Sequence, residues 1–320
     1  MTLDPATKRL KARAQRALGS QRVADAVVKV RAIVGPFEIP DQEPLAQKAL
    51  DKMHDGEQPT AEEMTALEIV VRLLRPVVFS HNGELDDLPT PPAGHKSLYS
   101  PELTSRWKTF RDGVTPVVPS IGRVELKDGT HIGTGFVVSK DRLVTNRHVL
   151  DVITRGSERL SPGSARVVFR QEDKATNAAA DLVWITGVVA IHPTLDMVIL
   201  ELPTGGRSAV SLETKAVAEG ADVVVIGFPA EDRVNNPVFL STVFQGAYGK
   251  KRASLGEVLD GTKSPTLFHD CSTTQGNSGS PVFSLQSARV VGIHRAGFFM
   301  YRNEAVAAGA LGQFIKPHIH

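Results

Sequence analysis

The chain of 320 residues contains a single cysteine, Cys271, and no long apolar run. One thiol cannot form an intramolecular disulfide, so the fold must be stable without such cross-links. A membrane-spanning helix needs about 18 consecutive apolar residues, and no stretch of the sequence approaches that length. The first residues, MTLDPATKRLKARAQRALGS, lack the apolar core of a secretory signal. We therefore expect a cytoplasmic protein that has no membrane partner.

The sequence also lacks an excess of one charge sign, because its 37 Lys and Arg residues nearly balance its 35 Asp and Glu residues, which gives a net charge of +2. A balance so close to zero gives no whole-chain argument for nucleic acid as a partner. The ten histidines form no HExxH motif, one cysteine excludes a thiolate zinc site, and no Walker sequence occurs. Gly133-Thr134-Gly135 lacks the third glycine of a dinucleotide-binding loop. The sequence therefore predicts neither a metal nor a cofactor.

Residues 1–78 have the apolar periodicity of helices. One apolar stripe has the spacing i, i+4, i+7 and i+11 and consists of Val23, Val27, Val30 and Val34. Gly35-Pro36 is expected to end that helix. A later helix begins with Thr60 and Glu63, which form a capping-box pair. These patterns predict a small N-terminal helical domain.

Charge is divided unevenly within this first part of the chain. Residues 1–31 contain eight basic and two acidic side chains, whereas residues 32–90 contain four basic and twelve acidic ones. Solvated helix faces explain such a pattern. A docking module whose two ends attract complementary partners is the second interpretation. A protein partner for the helical domain, with a role in recruitment or regulation, is therefore a hypothesis.

Residues 79–117 have the composition of a linker. They include HNGELDDLPTPPAG and few periodic apolar positions. The string PELTSRWKTF could form a short helix, but no core is evident around it. We expect a flexible connection between the helical domain and the rest of the chain.

From residue 118 onward the sequence consists of short strand candidates separated by turn residues. They include HIGTGFVV, RLVTN, DLVWITGVVAI, MVILEL, DVVVIGF and PVFLSTVFQGAYG. Such spacing is typical of an all-β sandwich or barrel and not of a βαβ fold. The segment has the length of two small barrels, at about 118–204 and 221–320. The predicted fold class is therefore α+β and multidomain, with a small helical domain followed by an all-β double β-barrel domain.

A glycine-rich turn, TTQGNSGSPV at residues 273–282, carries the strongest chemical signal. A nucleophilic serine needs a tight turn that exposes its hydroxyl, and Gly276 and Gly279 allow the required close approach of the backbone. Because serine alone is a weak nucleophile, it also needs a base within hydrogen-bond reach. His148, in the string TNRHVL that closes a strand, can serve as that base for Ser278.

The imidazole of His148 in turn needs an acid that fixes its tautomer. Asp196 stands at the mouth of a strongly apolar strand, in LDMVIL, where an unpaired charge would be costly. Asp181 and Asp222 also flank apolar runs and compete for this role. The context of Asp196 favours it as the third member of the site.

The segments GTGFVV…LVTNRHV, LDMVIL and GNSGSPV, in that order, resemble the trypsin-like serine proteases of the chymotrypsin fold. The order His, Asp, Ser differs from that of subtilisins and α/β-hydrolases. The absence of disulfides resembles the bacterial glutamyl endopeptidase (V8-like) and HtrA-like branches. The resemblance covers about 118–320 and implies His148 as general base, Asp196 as its orienting acid and Ser278 as nucleophile. It also implies an oxyanion hole formed by the backbone N–H groups of Gly276 and Ser278.

The segment RVVGIHRAG after the nucleophile resembles a wall of the primary specificity pocket in that family. There the backbone, here around Gly292, pairs with the substrate as an added strand. In glutamyl endopeptidases the matching histidine and threonine bind the carboxylate of an acidic residue before the scissile bond (P1), and these positions are His294 and Thr273. The N-terminal amine also helps in that branch. Because about 117 residues precede the barrel here, Arg295 is the expected substitute for its charge.

Together these inferences predict an intracellular serine endopeptidase that cleaves protein or peptide substrates through an acyl-enzyme and prefers an acidic P1 residue. A small or apolar P1 residue and a basic one remain alternatives. The competing class is a catalytically inactive, protease-like binding module.

Overall fold

The computed structural model describes residues 3–34, 42–93, 96–175, 181–232, 234–261, 264–298 and 301–319. The helix end expected at Gly35-Pro36 lies outside these residues. The helices within them are α1 (Pro5–Leu18), α2 (Val23–Val34), α3 (Glu43–His54), α4 (Ala61–Leu73), α5 (Pro101–Val114), α6 (Arg147–Thr154), α7 (Pro237–Phe244) and α8 (Ala308–Ile315). In the described ranges, no helix has the length and apolar character needed to cross a membrane.

The strands form two antiparallel sheets. They are β1 (Val77–His81), β2 (Glu84–Leu85), β3 (Ile121–Leu126), β4 (His131–Ser139), β5 (Arg142–Thr145), β6 (Ala165–Val168), β7 (Leu182–Trp184), β8 (Gly187–Ile191), β9 (Val198–Glu201), β10 (Asp222–Gly227), β11 (Arg252–Asp260), β12 (Thr266–His269), β13 (Pro281–Ser284), β14 (Val290–Phe298) and β15 (Arg302–Ala307). The string DVVVIGF, for example, gives β10, whose residues after Asp222 are buried.

One sheet closes into a barrel and the other curls into a half-barrel. The closed barrel has the order β10-β13-β14-β15-β12-β11, and β10 pairs with β11 to complete it. The second sheet has the order β7-β6-β3-β4-β5-β9-β8 within the described residues. The predicted fold class, helices followed by a trypsin-like double-barrel domain, is confirmed, although the first barrel is only a half-barrel.

Helices occupy the N-terminal part of the chain, as its periodicity predicted. The valine stripe lies on α2, where Val23, Val27 and Val30 are buried. The capping box of α4 is also present, because Thr60 Oγ1 accepts from Glu63 N at 3.2 Å and Glu63 Oε2 accepts from Thr60 N at 2.8 Å. The local capping chemistry therefore sets where α4 begins.

The substitution Thr60→Ala is expected to lower the free energy of unfolding by about 1 kcal/mol, because the N–H of Glu63 loses its acceptor. Urea denaturation measures the change. Thr65→Ala is the matched control, since Thr65 is exposed on the same helix and its hydroxyl bonds only Ala61 O within the helix. Alanine is the better helix former, so the control should be neutral or slightly stabilising. Equal losses in the two variants would contradict a capping role.

The prediction of a flexible linker over 79–117 is wrong. This segment contains most of β1 together with β2 and α5, and β1 pairs with β11 of the closed barrel. On α5, Trp107, Phe110 and Val114 are at most 1% exposed and belong to the core shared by the two sheets. Their spacing of i, i+3 and i+7 is a helical signal that the surrounding Pro- and Gly-rich composition obscured. The domain boundaries at 78 and 117 stay a prediction.

The strand predicted for PVFLSTVFQGAYG is also wrong, because its first eight residues form α7. The side chain of Asn236 caps this helix by accepting from Val238 N and Phe239 N at 3.0 and 3.1 Å. The buried residues of α7 pack in one apolar cluster with residues of α1 to α4. Through α7 the N-terminal helices dock directly on the double-barrel domain.

Ion pairs between elements account for part of the uneven charge distribution. Arg31 of the basic segment pairs with Glu43 at 2.7 Å. Arg13 of α1 pairs with Glu68 of α4 at 2.8 Å, and both side chains are buried. The solvated-face interpretation is therefore incomplete, because some of these charges meet inside the fold.

Candidate active site

The pairing of β5 with β9 brings His148 and Asp196 together. Thr145 pairs with Val198, so the residues that follow β5 lie opposite those that precede β9. The Nδ1 atom of His148 lies 2.7 Å from Asp196 Oδ2, and the backbone N–H of His148 donates to Asp196 Oδ1 at 3.0 Å. Asn146 Nδ2 donates to the backbone oxygen of Asp196 at 2.8 Å. The imidazole is thus held with its Nδ1 toward the carboxylate and its Nε2 available.

The electrostatics keep Asp196 ionised. Burial raises its pKa, but the hydrogen bonds from His148 outweigh this effect, and the pKa of Asp196 is lowered overall. The competing carboxylates lie elsewhere, since Asp222 pairs with Arg106 at 2.5 Å and Asp181 with Arg207 at 3.6 Å. Of the three candidates, Asp196 is the one that contacts His148.

Contacts with β4 place the serine turn beside His148. Thr134 N donates to Ser278 O at 2.8 Å. A Cβ on Gly133 would lie 2.8 Å from Val149 Cγ2 and 3.1 Å from Ser278 O, so this glycine lies between the serine turn and α6. Because Val149 follows His148 in α6, the serine turn and the start of α6 both pack against β4 at Gly133.

The turn itself requires glycine. Gly279 has a φ of +87°, and a Cβ there would lie 2.1 Å from Thr134 O. Gly276 has a φ of +86°, and a Cβ there would lie 2.5 Å from Phe228 O. Both the backbone conformation and the close contacts therefore exclude larger residues.

The backbone N–H groups of Gly276 and Ser278 are the candidate oxyanion hole. The intervening N–H, of Asn277, donates to Thr274 O at 3.2 Å, and that of Gly279 donates to His294 O at 2.8 Å. Within the described residues, the N–H groups of Gly276 and Ser278 donate to no protein acceptor. Two unused donors at alternate positions of one tight turn are suited to binding an oxyanion.

A pocket opens beside Ser278. It is lined by Arg72, Asp232, Val234, Asn235, Phe239, Leu240, Phe244, Ser272, Thr273, Thr274, Gln275, Ser278, His294, Ala296, Gly297 and Asn303. Thr273 and His294, two of the predicted substrate-binding residues, therefore line the same pocket.

Two other predicted substrate-binding residues, Gly292 and Arg295, do not line this pocket. Gly292 lies within β14, paired with Val282 and Ala307. Arg295 is partly exposed and donates to Glu304 Oε2 at 2.5 Å. Arg295 was expected to replace the N-terminal amine in this pocket, and its ion pair holds it elsewhere.

Hydrogen bonds to neighbouring residues fix the polar side chains of the pocket. Thr273 Oγ1 donates to Asn303 Oδ1 at 2.9 Å, and Asn303 Nδ2 donates to Cys271 O at 2.6 Å. His294 Nδ1 lies 3.2 Å from His269 Nε2. Burial, followed by the charges of His269 and His148, holds the pKa of His294 well below its usual range. A pKa lowered in this way makes His294 a neutral hydrogen-bonding group in the pocket.

Sequence reasoning missed several pocket residues. Asn303 lies on β15 opposite His269 of β12, which contacts His294 from behind the pocket, and neither residue carries a recognisable motif. Arg72 comes from α4, far earlier in the chain, and Asp232 from the loop before α7. No local pattern indicates these positions, because only the docking of the helices on the barrel brings Arg72 to the pocket.

The chain belongs to the family of trypsin-like peptidases, because the family model of a trypsin-like peptidase domain matches residues 133–293, half of its length. The glutamyl endopeptidase of Staphylococcus aureus strain MRSA252 is 30% identical over 207 residues, which are 62% of this chain and 52% of that protein. The homologue from strain MW2 is also 30% identical and is covered to 57%. The chain thus spans about half the length of the curated relatives it matches. The predicted membership of the trypsin-like serine proteases is confirmed.

Several solved structures are also similar to this chain. The active form of the Rv3671c protease from M. tuberculosis has a TM-score of 0.46 and 21% identity, covering 68% of this chain and 86% of that one. Deg5 has a TM-score of 0.47 and 21% identity, covering 67% of this chain and 94% of that one. In both cases the similarity extends over about two thirds of this chain.

Proposed function

We propose that this protein is a serine endopeptidase with His148, Asp196 and Ser278 as its catalytic triad. The observation that carries the proposal is the contact of 2.7 Å between His148 Nδ1 and Asp196 Oδ2, next to the glycine turn that presents Ser278. Such a contact fixes the tautomer in which His148 Nε2 can accept a proton. Membership of the trypsin-like family supports the same chemistry.

In the proposed reaction, His148 Nε2 takes the proton of the Ser278 hydroxyl while Oγ forms a bond to the substrate carbonyl carbon. The electron pair of the carbonyl π bond moves to the oxygen, which accepts hydrogen bonds from Gly276 N and Ser278 N. As the intermediate collapses, the C–N bond breaks and His148 protonates the leaving amine. Water, activated by the same imidazole, then hydrolyses the acyl-enzyme.

We also propose an acidic P1 residue. The pocket offers the hydroxyl of Thr273 and the imidazole of His294, whose Nδ1 is occupied by His269 and whose Nε2 is left for a ligand. The relatives named glutamyl endopeptidase support this preference. The apolar residues of α7 in the same pocket are the observation that favours the alternative, an apolar P1 residue.

Fluorophosphonate labelling tests the catalytic proposal, because the probe reacts only with an activated serine. We expect the full chain to be labelled at Ser278, as mapped by mass spectrometry, and Ser278→Ala to remain unlabelled. Ser280→Ala is the matched control in the same turn, and it should keep labelling because Ser280 is buried. A folded wild-type protein that stays unlabelled would overturn the proposal and favour the inactive binding module.

Protein or peptide substrates follow from the family. A further protein partner bound through the N-terminal helices and a cytoplasmic location both stay predictions. The described residues contain no cluster of His, Cys, Asp and Glu side chains arranged to hold a metal ion.

A further inference from the structure

A group of charged side chains, here called the arginine cluster, joins the N-terminal helices to the closed barrel. It consists of Arg13, Arg16, Glu68, Arg72, Arg75, Glu257 and Asp270. Asp270 is 1% exposed and accepts from Arg13 Nε at 2.7 Å and from Arg75. Because Asp270 lies two residues before the segment that lines the pocket, the cluster fixes this pocket wall against α1 and α4.

The arginine cluster leaves one buried donor unused. It contains four guanidinium groups and three carboxylates, and one of the guanidinium groups, that of Arg16, is half exposed. Arg72 donates through Nε to Glu68 Oε1 at 2.8 Å, but its Nη2 is buried and has no hydrogen-bond partner in the described part of the chain. Glu68 is shared with Arg13, which donates two hydrogen bonds to it. Since buried donors are normally hydrogen-bonded, the unpartnered Nη2 of Arg72 calls for an acceptor.

Arg72 lines the same pocket as Ser278, yet it is only 5% exposed. Burial is the main cause that lowers the pKa of the neighbouring His269 to about 4, with Asp270 opposing the shift and Arg72 adding to it. One carboxylate, Asp232, lines the pocket as well. Its two oxygens accept hydrogen bonds from the backbone N–H of Val234 and of Asn235 and from the side chain of Asn235. Arg72 thus has an unused hydrogen-bond donor, whereas both carboxylate oxygens of Asp232 already accept hydrogen bonds.

We propose that Arg72 binds the side-chain carboxylate of the P1 residue and is the residue that determines acidic specificity. The inference rests on the proposed function, because it deepens the proposed P1 preference at the same site. The substrate carboxylate supplies the acceptor that Arg72 Nη2 lacks. The N-terminal helices then form one wall of the specificity pocket and are not a detachable recruitment module.

The other candidate cations do not fill this role. His294 is neutral when buried, so it donates a hydrogen bond without a charge. Arg295 is paired with Glu304 and does not line the pocket. A neutral donor distinguishes glutamate from glutamine poorly, whereas a guanidinium adds a charge-assisted hydrogen bond that only the carboxylate can match.

The test compares two peptides that differ only in Glu or Gln at P1, cleaved by the full chain. We expect the wild type to prefer Glu. In Arg72→Gln, kcat/KM for the Glu peptide should fall about 10- to 100-fold, the value of a hydrogen bond between charged groups. For the Gln peptide, kcat/KM should change by no more than about threefold. The ratio of the two kcat/KM values, called the Glu/Gln ratio, therefore falls.

Arg16→Gln is the matched control, because it removes one guanidinium from the same cluster, at a half-exposed side chain that does not line the pocket. It should keep the wild-type Glu/Gln ratio. If Arg72→Gln also keeps the ratio, the role of Arg72 is overturned while the protease proposal stands. If the wild type is labelled by fluorophosphonate but shows no preference for Glu, both the acidic specificity and the role of Arg72 are overturned. An unlabelled, folded wild type instead contradicts the proposed function itself.

A measurement on the wild type decides the question if Arg72→Gln does not fold. Several charged and titratable groups surround Arg72. They are Glu68 on α4, Arg75 just after α4, Arg13 on α1, His269 on β12, Asp270 and Cys271 just after β12, His294 on β14, and Asp232 before α7. A guanidinium does not titrate between pH 6 and 9, so the Glu/Gln ratio should stay constant there. A ratio that falls as the pH rises through this range would place the charge on a histidine and overturn the proposal.

Discussion

Asp196→Asn is expected to lower kcat by about 10⁴-fold while leaving KM nearly unchanged. The carboxylate does two things in the structure, since Oδ2 faces His148 Nδ1 and Oδ1 accepts from the backbone N–H of His148. That backbone group is always a donor. An asparagine must therefore turn its oxygen toward the backbone and its NH₂ toward the ring.

The consequence is that the imidazole adopts the wrong tautomer. An NH₂ group facing Nδ1 forces this atom to accept a hydrogen bond, so the proton moves to Nε2, where the base must be free. The loss is thus larger than the removal of one charge would give. Steady-state kinetics on a single peptide measures the loss, with active sites counted by fluorophosphonate titration.

Asp222→Asn is the control for this substitution, because Asp222 also flanks an apolar strand but pairs with Arg106. Its kcat should remain within about twofold of the wild-type value, as expected for a partly exposed ion pair away from the site. A drop of similar size in both variants would argue against the specific role of Asp196.

Asp270→Asn is expected to lower the free energy of unfolding by about 3–5 kcal/mol, the usual cost of removing one partner from a buried ion pair. Asp270 accepts from Arg13, from Arg75 and from the backbone N–H of Glu257. The variant leaves these guanidinium groups with fewer partners and presents an NH₂ group to at least one donor. Urea denaturation of the full chain, followed by circular dichroism, measures the change.

The contribution of Asp270 to the free energy of unfolding depends on pH, and the sign of this dependence is defined. Burial alone raises the pKa of Asp270, but the charges of Arg75 and Arg13 hold it far below its usual range. The unfolded state therefore binds this proton more tightly than the folded state. The contribution of Asp270 is fully present above about pH 5 and is lost as the pH falls below 4. Wild type and Asp270→Asn should converge in stability in acid.

Asp112→Asn provides the matched control, because Asp112 forms an exposed pair with Lys108 on α5. Its loss should not exceed about 0.5 kcal/mol. If Asp270→Asn is no more destabilised than this control, the arginine cluster does not hold the helices on the barrel.

The sequence was sufficient where local patterns decide the structure. A short apolar run between turn residues predicted β10, and capping residues predicted the start of α4. The sequence was insufficient where tertiary packing determines the structure. Apolar side chains on nearly every face made α7 look like a strand, although the cap at Asn236 and Pro237 marks a helix start. Trp107 and Phe110 were hidden in a segment whose composition is that of a loop.

The same division holds for the candidate site. The triad residues stand in compact motifs, so their order and spacing were readable, and the pairing of β5 with β9 places two of them in contact. The pocket draws on residues distant in the chain, such as Arg72, and on the protonation state of His294, which depends on burial. Neither long-range docking nor desolvation leaves a local sequence pattern.

The pairing of β1 with β11 bears on where the chain can be shortened. Arg252 of β11 is buried and donates to Val77 O at 2.8 Å and to Val78 O at 3.3 Å. A fragment that begins at residue 118 would lose these acceptors and expose an unpaired strand edge, which is prone to aggregation. The smallest fragment that can fold therefore starts at or before Val77, although the family resemblance begins some forty residues later.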